Sequence, residues 1–419
     1  MAITINQQPP ILTPAYGDVV ITVSSNLVVS KFKFKYVYDI FSFNQVGSVS
    51  NYVGRVRQTP NPSGVGMLDL ARYLQNQTES TRISNTGNLD IIVGGTNTRG
   101  DYNPFSYIVF CGEEYSNTLN GPVTLYNGNG TLSTGTTLTS VSTSTGFTFN
   151  AVKQFEEGFV WDPTQYVAPT GRKLLTNSPR TLYMDTDEYF TMTTLYGVYS
   201  GVSFGITGVT NAQVYDVSGN LIKTYAPSGT IATTTRIRSL YSNNRISTIV
   251  SGFENTWNKI LIGFGNFTEK ITIFRKDCNW DKYDPKDVIF LNRLGGWDTF
   301  RFYGSKNEEV KIERGTYKRA YGTWSSATYN YTTNERGTTN IKTDLTVEGE
   351  VMSDFLNIET TNWLEELITS PEVFMIEGVK LIPINITDSS FKRQIRGNVK
   401  LRQLSFRYEK SNDTRTQQQ

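Results

Sequence analysis

Carboxylates are the side chains whose number and clustering best suit them to chemistry in this chain. They gather as Glu113-Glu114, Glu156-Glu157, Asp185/Asp187/Glu188 and Asp281/Asp284/Asp287. Two carboxyl groups flanking a glycosidic bond can cleave it, one as acid and the other as nucleophile or base. Asp185-Thr186-Asp187-Glu188 could also offer oxygen ligands to Ca²⁺, although it lacks the glycine and the spaced acids of an EF-hand loop. Each cluster reads equally as a solvated turn, and we adopt that reading. The chain has no histidine, which removes the commonest general base, the commonest metal ligand and every Ser-His or Cys-His pair. Cys111 and Cys278 stand too far apart for a metal-binding spacing or a disulfide framework, and read as free, partly buried thiols. Gly94-Gly95-Thr96 and Gly263-Phe264-Gly265 lack the helix that a phosphate-binding loop must open, so both are turns. No catalytic residue, metal ligand or cofactor-binding residue is assigned. The chain is read as not an enzyme, with no cofactor.

Composition narrows the class. The 419 residues carry 40 basic and 38 acidic side chains, a net charge of +2. That balance argues against a nucleic-acid footprint, which needs a basic stripe. Aromatics make up 13% and glycines number 35, with abundant Thr, Asn and Ser: the composition of a β-rich, turn-rich chain. The start, Met1 to Pro10, lacks the basic and apolar regions of a secretory signal. No apolar run approaches the ~20 residues of a membrane helix. The expectation is a soluble protein made in a cytoplasm, without membrane insertion.

The elements that would position any site are strands. Phe32, Phe34, Tyr36, Tyr38 and Ile40 alternate with Lys31, Lys33 and Lys35, predicting a strand with one packed and one solvated face. Leu68 to Leu74 reads as a short helix and Phe105 to Phe110 as a strand. Residues 124–148, rich in Thr, Ser and Gly, have too little apolar content for a core of their own and read as a loop, a linker or a β-arm reaching a neighbouring subunit. Gln213 to Val217, then Ser218-Gly219-Asn220, then Leu221 to Tyr225 spells a hairpin. Further hairpins are read at Val288 to Tyr303 across Gly295-Gly296, and at Val373 to Ile386 across Glu377-Gly378. Ile341, Thr343, Leu345 and Val347 keep strand alternation. The clearest helix is placed at Asn362, as N-cap with Glu365 in the capping-box position, through Ile368 to a stop at Pro371. In the closing strand, Asn398 to Glu409, the phase slips between Leu401 and Leu404, which a bulge would correct.

The fold class is therefore mainly β, as tandem antiparallel β-sandwich domains. An N-terminal sandwich is expected over 1–160, an immunoglobulin- or fibronectin-like sandwich over 161–276, and a C-terminal β module with one flanking α-helix over 277–410. Residues 411–419 are expected to form a disordered tail.

The C-terminal third also carries a resemblance. The run Cys278, Pro285, Val288-Ile289-Phe290-Leu291-Asn292-Arg293-Leu294-Gly295-Gly296-Trp297-Asp298-Thr299-Phe300 resembles virion structural proteins of tailed phages from marine and Bacteroidetes hosts. So do Glu313-Arg314-Gly315-Thr316-Tyr317-Lys318, Glu335-Arg336-Gly337 and Trp363 through Phe374 followed by Leu381 to Ile386. The opening Ile3 to Pro9, continuing to Val23-Ser24-Ser25, is similar to the starts of such proteins. The resemblance touches both ends of the chain, is weakest across 110–270, and carries over no catalytic residue. It implies a virion protein of tail or baseplate type, partnered by copies of itself and by other virion proteins. Large aromatic side chains then become interface candidates: Trp297, Phe300, Trp324, Tyr331 and Trp363. Alternatives are a head decoration or fibre protein, or an adhesin whose exposed rings, such as Trp324 or Tyr331, stack on receptor sugars at a host surface.

Overall fold

The computed structural model describes residues 3–43, 50–78, 105–133, 135, 137–138, 143–158, 161–162, 174–199, 202–205, 210–225, 238–264, 269–276, 284–304, 306–323, 328–335, 337–378, 380–388 and 403–411. The chain forms two compact units, Met1–Lys276 with Leu291–Asp298, and Asp277–Phe290 with Thr299–Gln419. Trp324, Cys278, Asp281, Gly94-Gly95, the phase slip at Leu401 and the tail from 412 onward lie outside the described residues.

Strands dominate both units, and the first holds tandem β-sandwiches. In the first unit, Thr4–Gln7, Val20–Ser24 and Val65–Asp69 form a three-stranded sheet. A larger sheet runs in the order Leu12–Tyr16, Thr143–Val152, Phe105–Ser116, Phe32–Phe43, Ser50–Gln58, with Thr124–Asn127 added to Phe105–Ser116. The alternating side chains Val19, Ile21 and Val23 of one sheet meet Tyr36, Tyr38, Ile40, Tyr107 and Val109 of the other in one core. Each fully buried aromatic there stabilises the fold by roughly 1.5–3 kcal/mol. A second sandwich sets a five-stranded sheet around Trp257–Phe264 against the sheet centred on Tyr189–Tyr199. Its core joins Val214, Ile260, Ile262, Ile271 and Ile273 to Phe190 and Met192. Most strand pairs among the described residues are antiparallel, while Leu12–Tyr16 on Thr143–Val152 and Thr181–Met184 on Lys270–Arg275 run parallel.

Several expectations change on the structure. Residues 124–148 end in strands of the chain's own sheet, because Phe147, Phe149 and Ala151 supply a buried face and Thr tolerates extended backbone well. Leu68 belongs to a strand, and the helix is only Ala71–Leu74. The lysine-bearing face of Phe32–Phe43 is solvated only at its start. Lys31 Nζ donates to Asn117 Oδ1 at 2.7 Å, whereas Val37 and Asp39, farther along that face, are fully buried. The hairpin at Ser218-Gly219-Asn220 forms as read, with Asn220 N–H donating to Asp216 Oδ1 at 2.7 Å.

The second unit holds one seven-stranded sheet. Its order is Trp297–Phe302, Lys286–Leu291, Val373–Glu377, Lys380–Ile386, Ser405–Lys410, Thr338–Met352, Lys306–Lys318. The helix Ile358–Ile368 covers one face through Trp363, Leu364 and Leu367, against Val288, Phe290, Met375 and Phe406. It begins five residues before the expected cap, at Asn357, whose side chain accepts from the Thr360 N–H at 2.7 Å. Thr361 Oγ1 also donates to the Asn357 carbonyl, at 2.8 Å. Ile358-Glu359-Thr360-Thr361 has weak helix propensity, so its turn is drawn in by the cap. Asn357→Ala should cost about 1 kcal/mol, read as a lower urea midpoint, while Asn362→Ala should leave that midpoint unchanged.

Candidate functional site

The acidic clusters come first, because they hold what catalytic capacity the sequence offers. Asp284 pairs with Lys286, and Asp287 forms a two-pronged ion pair with Arg301 at 2.7 and 2.8 Å. Glu188 is buried and closes its own turn by accepting from the Asp185 N–H at 3.1 Å. Thr186 accepts from the Trp257 indole at 3.0 Å. Glu114 pairs with Arg57 at 2.7 Å. Each of these carboxylates is occupied by structure. Among the described residues no group of three or more His, Cys, Asp or Glu is gathered as a metal site would require. Cys111 is fully buried, and burial pushes its thiol up to about 12, far from the thiolate a nucleophile needs.

Glu113 differs from its neighbours. It lies on Phe105–Ser116 with no exposed surface, and neither carboxylate oxygen has a hydrogen-bond partner of normal geometry. Burial raises its pKa, and the nearby Ser25 hydroxyl offsets this only in part. The fold therefore holds the Glu113 proton more tightly than the unfolded chain does. The stability this contributes is complete below the ordinary carboxyl pKa, and is lost as pH rises through the raised one. Glu113→Gln keeps the shape and removes the titration. It should stabilise the protein by about 1–3 kcal/mol at neutral pH and give no gain in acid. Melting temperatures of both forms at about pH 4 and about pH 7.5 check this, and equal melting of the two at neutral pH would refute it.

The aromatic interface candidates separate by burial. Trp297 is 1% exposed and Trp363 is 5% exposed, so both are core residues that present no ring to a partner. They were the largest apolar side chains in strongly patterned stretches, and the same size that suits an interface also suits a core. Phe300 is half-buried, edge-on to Phe302 and Trp363. Tyr331 is 57% exposed.

Tyr331 sits at the far end of a feature that the alternation at Ile341 to Val347 announced only as a strand. Lys306–Lys318 and Thr338–Met352 pair over their whole lengths as a long hairpin. At about 3.4 Å per residue, the outer strand, Lys306–Lys318, spans about 44 Å. The inner strand, Thr338–Met352, pairs with Ser405–Lys410 only over Glu348–Met352. From Val347 outward the hairpin is a two-stranded arm among the described residues. All outer-strand residues from Asn307 to Lys318 are exposed.

The arm has two unlike faces. Val310 opposes Val347, and Ile312 opposes Leu345, so the four aliphatic side chains share one face. That face continues the core face of the sheet. Val351 and Gly349 stand on it nearer the base, and Gly349 leaves room for the buried Tyr408 ring, which any Cβ would strike. Val310 is 52% exposed and Ile312 45%. The other face carries Glu309, Lys311, Glu313, Asp344 and Glu348, with Lys311 bound to Glu348 at 2.5 and 2.6 Å.

Charge is graded along the arm. Near its base lie Glu308, Glu309, Glu313, Asp344, Glu348 and Glu350, against Lys306 and Lys311. Toward the tip lie Arg314, Lys318, Arg319 and Lys342, against Glu335. Tyr321, Tyr329 and Tyr331 group at the tip, with ring centroids 5.6 Å and 6.0 Å apart, and each is about half exposed. Tyr329 Oη donates to the Tyr321 carbonyl at 2.9 Å. Glu335 ties the tip by accepting from the Gly322 and Thr332 N–H groups. The Gly322 bond, first among these, holds its carboxyl below the usual range. An arm of this kind can pair, stack and dock.

No protein-family model matches the chain, and no curated protein matches it. Among solved structures, CBD12 from CALX1.2 is similar at 8% identity over 63% of this chain and 79% of that one, with a TM-score of 0.19. A Salmonella alpha-2-macroglobulin mutant is similar at 8% identity over 97% of this chain and 27% of that one, with a TM-score of 0.15. At these TM-scores neither likeness carries an argument.

Proposed function

We propose that the chain is a non-enzymatic structural component of a bacteriophage virion, of tail or baseplate type, working as a homo-oligomer that docks neighbouring virion proteins. The observation that carries this reading is the arm, an amphipathic strand pair that extends the seven-stranded sheet of the second unit and leaves its aliphatic face half-exposed. An isolated hairpin is at best marginally stable in water, so such an element makes physical sense where a neighbour completes it. The sequence resemblance to tailed-phage virion proteins points the same way. Antibody raised against the protein should label intact particles of the phage that encodes it, at one place on the tail. Particles that lack the protein by mass spectrometry would end the proposal.

A second reading is an adhesin, favoured by the exposed tyrosines at the arm's tip. Rings of this kind stack on sugar faces, and the basic residues beside them suit an acidic glycan. Binding of the purified protein to host cells, lost on Tyr329→Ala with Tyr331→Ala, would support this role.

A further inference from the structure

We infer that the outer arm strand, Lys306–Lys318, is a self-pairing edge, and that two copies of this chain join by laying these strands antiparallel about a two-fold axis at Ile312. The inference rests on the arm alone and holds whether the protein serves in a tail or as an adhesin. Lys306–Lys318 ends the order of the seven-stranded sheet and, among the described residues, pairs on one side only, with Thr338–Met352. Its other side presents a row of backbone N–H and C=O groups. The strand contains no proline. The one register irregularity in the pair skips Ile341 on the inner strand, where Gly315 and Thr316 meet Lys342 and Asn340, so the outer ladder is unbroken.

Edges like this are ordinarily protected by charge, and this one is heavily charged. The order of the charges decides what they do. In a two-fold antiparallel pair, opposed residues must share a face, so the axis passes through one residue, which opposes its own copy. With Ile312 at the axis, Lys311 opposes the partner copy's Glu313, and Glu313 opposes its Lys311. Two attractive cross-strand pairs result. Ile312 meets Ile312, and the Val310 and Ile312 side chains of both copies merge into one apolar strip. Val310 then opposes the partner copy's Arg314, Glu308 and Glu309 oppose its Thr316 and Gly315, and the like charges Lys306 and Lys318 meet only at the strand ends. An axis at Lys311, Glu313 or Arg314 would set like charges face to face at the centre of the pair. An axis at Val310 opposes Lys311 with Glu309 but uses less of the strand, and leaves Glu313 without a charged partner.

The test is a complementation between two copies. Lys311 and Glu313 are both exposed, and far-UV circular dichroism verifies that Lys311→Glu and Glu313→Lys each keep the wild-type fold, Lys311→Glu included, which loses the Lys311–Glu348 pair. The wild-type chain should form dimers, by light scattering and sedimentation across the micromolar range. Each variant alone places like charges at both reciprocal positions, and should dimerise about ten- to a hundredfold more weakly. Mixed in equal amounts, the two variants restore opposite charges at both positions, so native mass spectrometry should show the mixed dimer in preference to either homodimer. A monomeric wild type, single variants that dimerise as well as wild type, or a mixture that fails to recover would each overturn the inference. Recovery in the mixture would also exclude the Val310-centred register, in which Glu313 has no role. Failure here leaves the particle-labelling test of the virion reading untouched.

Discussion

Gly295→Ala should destabilise the first unit by about 2–5 kcal/mol. Two separate costs add. Gly295 has φ of +77°, where an alanine is strained by about 1–2 kcal/mol. A Cβ at this position would also overlap the Asn150 carbonyl, and relieving backbone overlap in a packed site costs about 1–3 kcal/mol more. The turn around it has little freedom to yield. Asn292 Oδ1 accepts from the Leu294 and Gly296 N–H groups at 3.0 and 2.9 Å, while its Nδ2 donates to the Leu175 carbonyl at 2.7 Å. The Val152 N–H donates to the Arg293 carbonyl at 2.7 Å, and the Trp297 N–H to Thr193 Oγ1 at 2.9 Å. Leu294 is buried with Leu12, Phe149, Trp161 and Leu175. Urea unfolding followed by tryptophan fluorescence reads the loss. Gly378→Ala is the control, since Gly378 also has positive φ, +64°, but nothing stands within 4 Å of its Cβ. It should show the backbone cost alone, and equal losses at the two positions would remove the packing argument.

The same turn shows what was legible in the sequence. Gly295-Gly296 between two apolar runs announced a hairpin, and Glu377-Gly378 and Ser218-Gly219-Asn220 announced two more, because turn residues act locally. The sheet order was not legible, since it depends on which strands meet across long stretches of chain. The helix start was missed for a related reason. Apolar spacing begins only at Trp363, whereas the cap at Asn357 works through a side-chain bond that spacing does not encode. Trp297 and Trp363 illustrate the limit for interfaces. Alternation marks a face that wants cover, and does not say whether the same chain supplies it. The Phe34–Ile40 face and the Val310, Ile312, Leu345, Val347 face are written alike, yet the first is core and the second is half-exposed. The arm could be read only after the register showed that its inner strand loses its second neighbour beyond Glu348.

Asp39→Ala should be the other severe change, at about 3–5 kcal/mol. Asp39 has no exposed surface. Its Oδ1 accepts from Arg55 Nε at 2.6 Å and its Oδ2 from Arg55 Nη2 at 2.7 Å. Arg55 stands directly opposite on the neighbouring strand. Oδ2 also accepts from the Leu138 N–H at 2.7 Å. One carboxylate thus joins two strands to the Thr/Ser/Gly-rich stretch, which explains why that stretch packs here despite its poor apolar content. Removing the carboxylate takes the ion-pair partner from a guanidinium that is only 15% exposed, and takes the acceptor from the buried Leu138 N–H. Truncating both members removes the buried cation along with its counter-charge, so Asp39→Ala with Arg55→Met should cost less than Asp39→Ala alone. The Leu138 amide separates the two contributions by hydrogen exchange. It should lose protection in Asp39→Ala and in the double variant, but keep it in Arg55→Met, where the carboxylate still accepts. Retained protection in Asp39→Ala would mean that packing of the Leu138 side chain, 3% exposed, holds this stretch without the carboxylate. The buried charge would then serve strand pairing only.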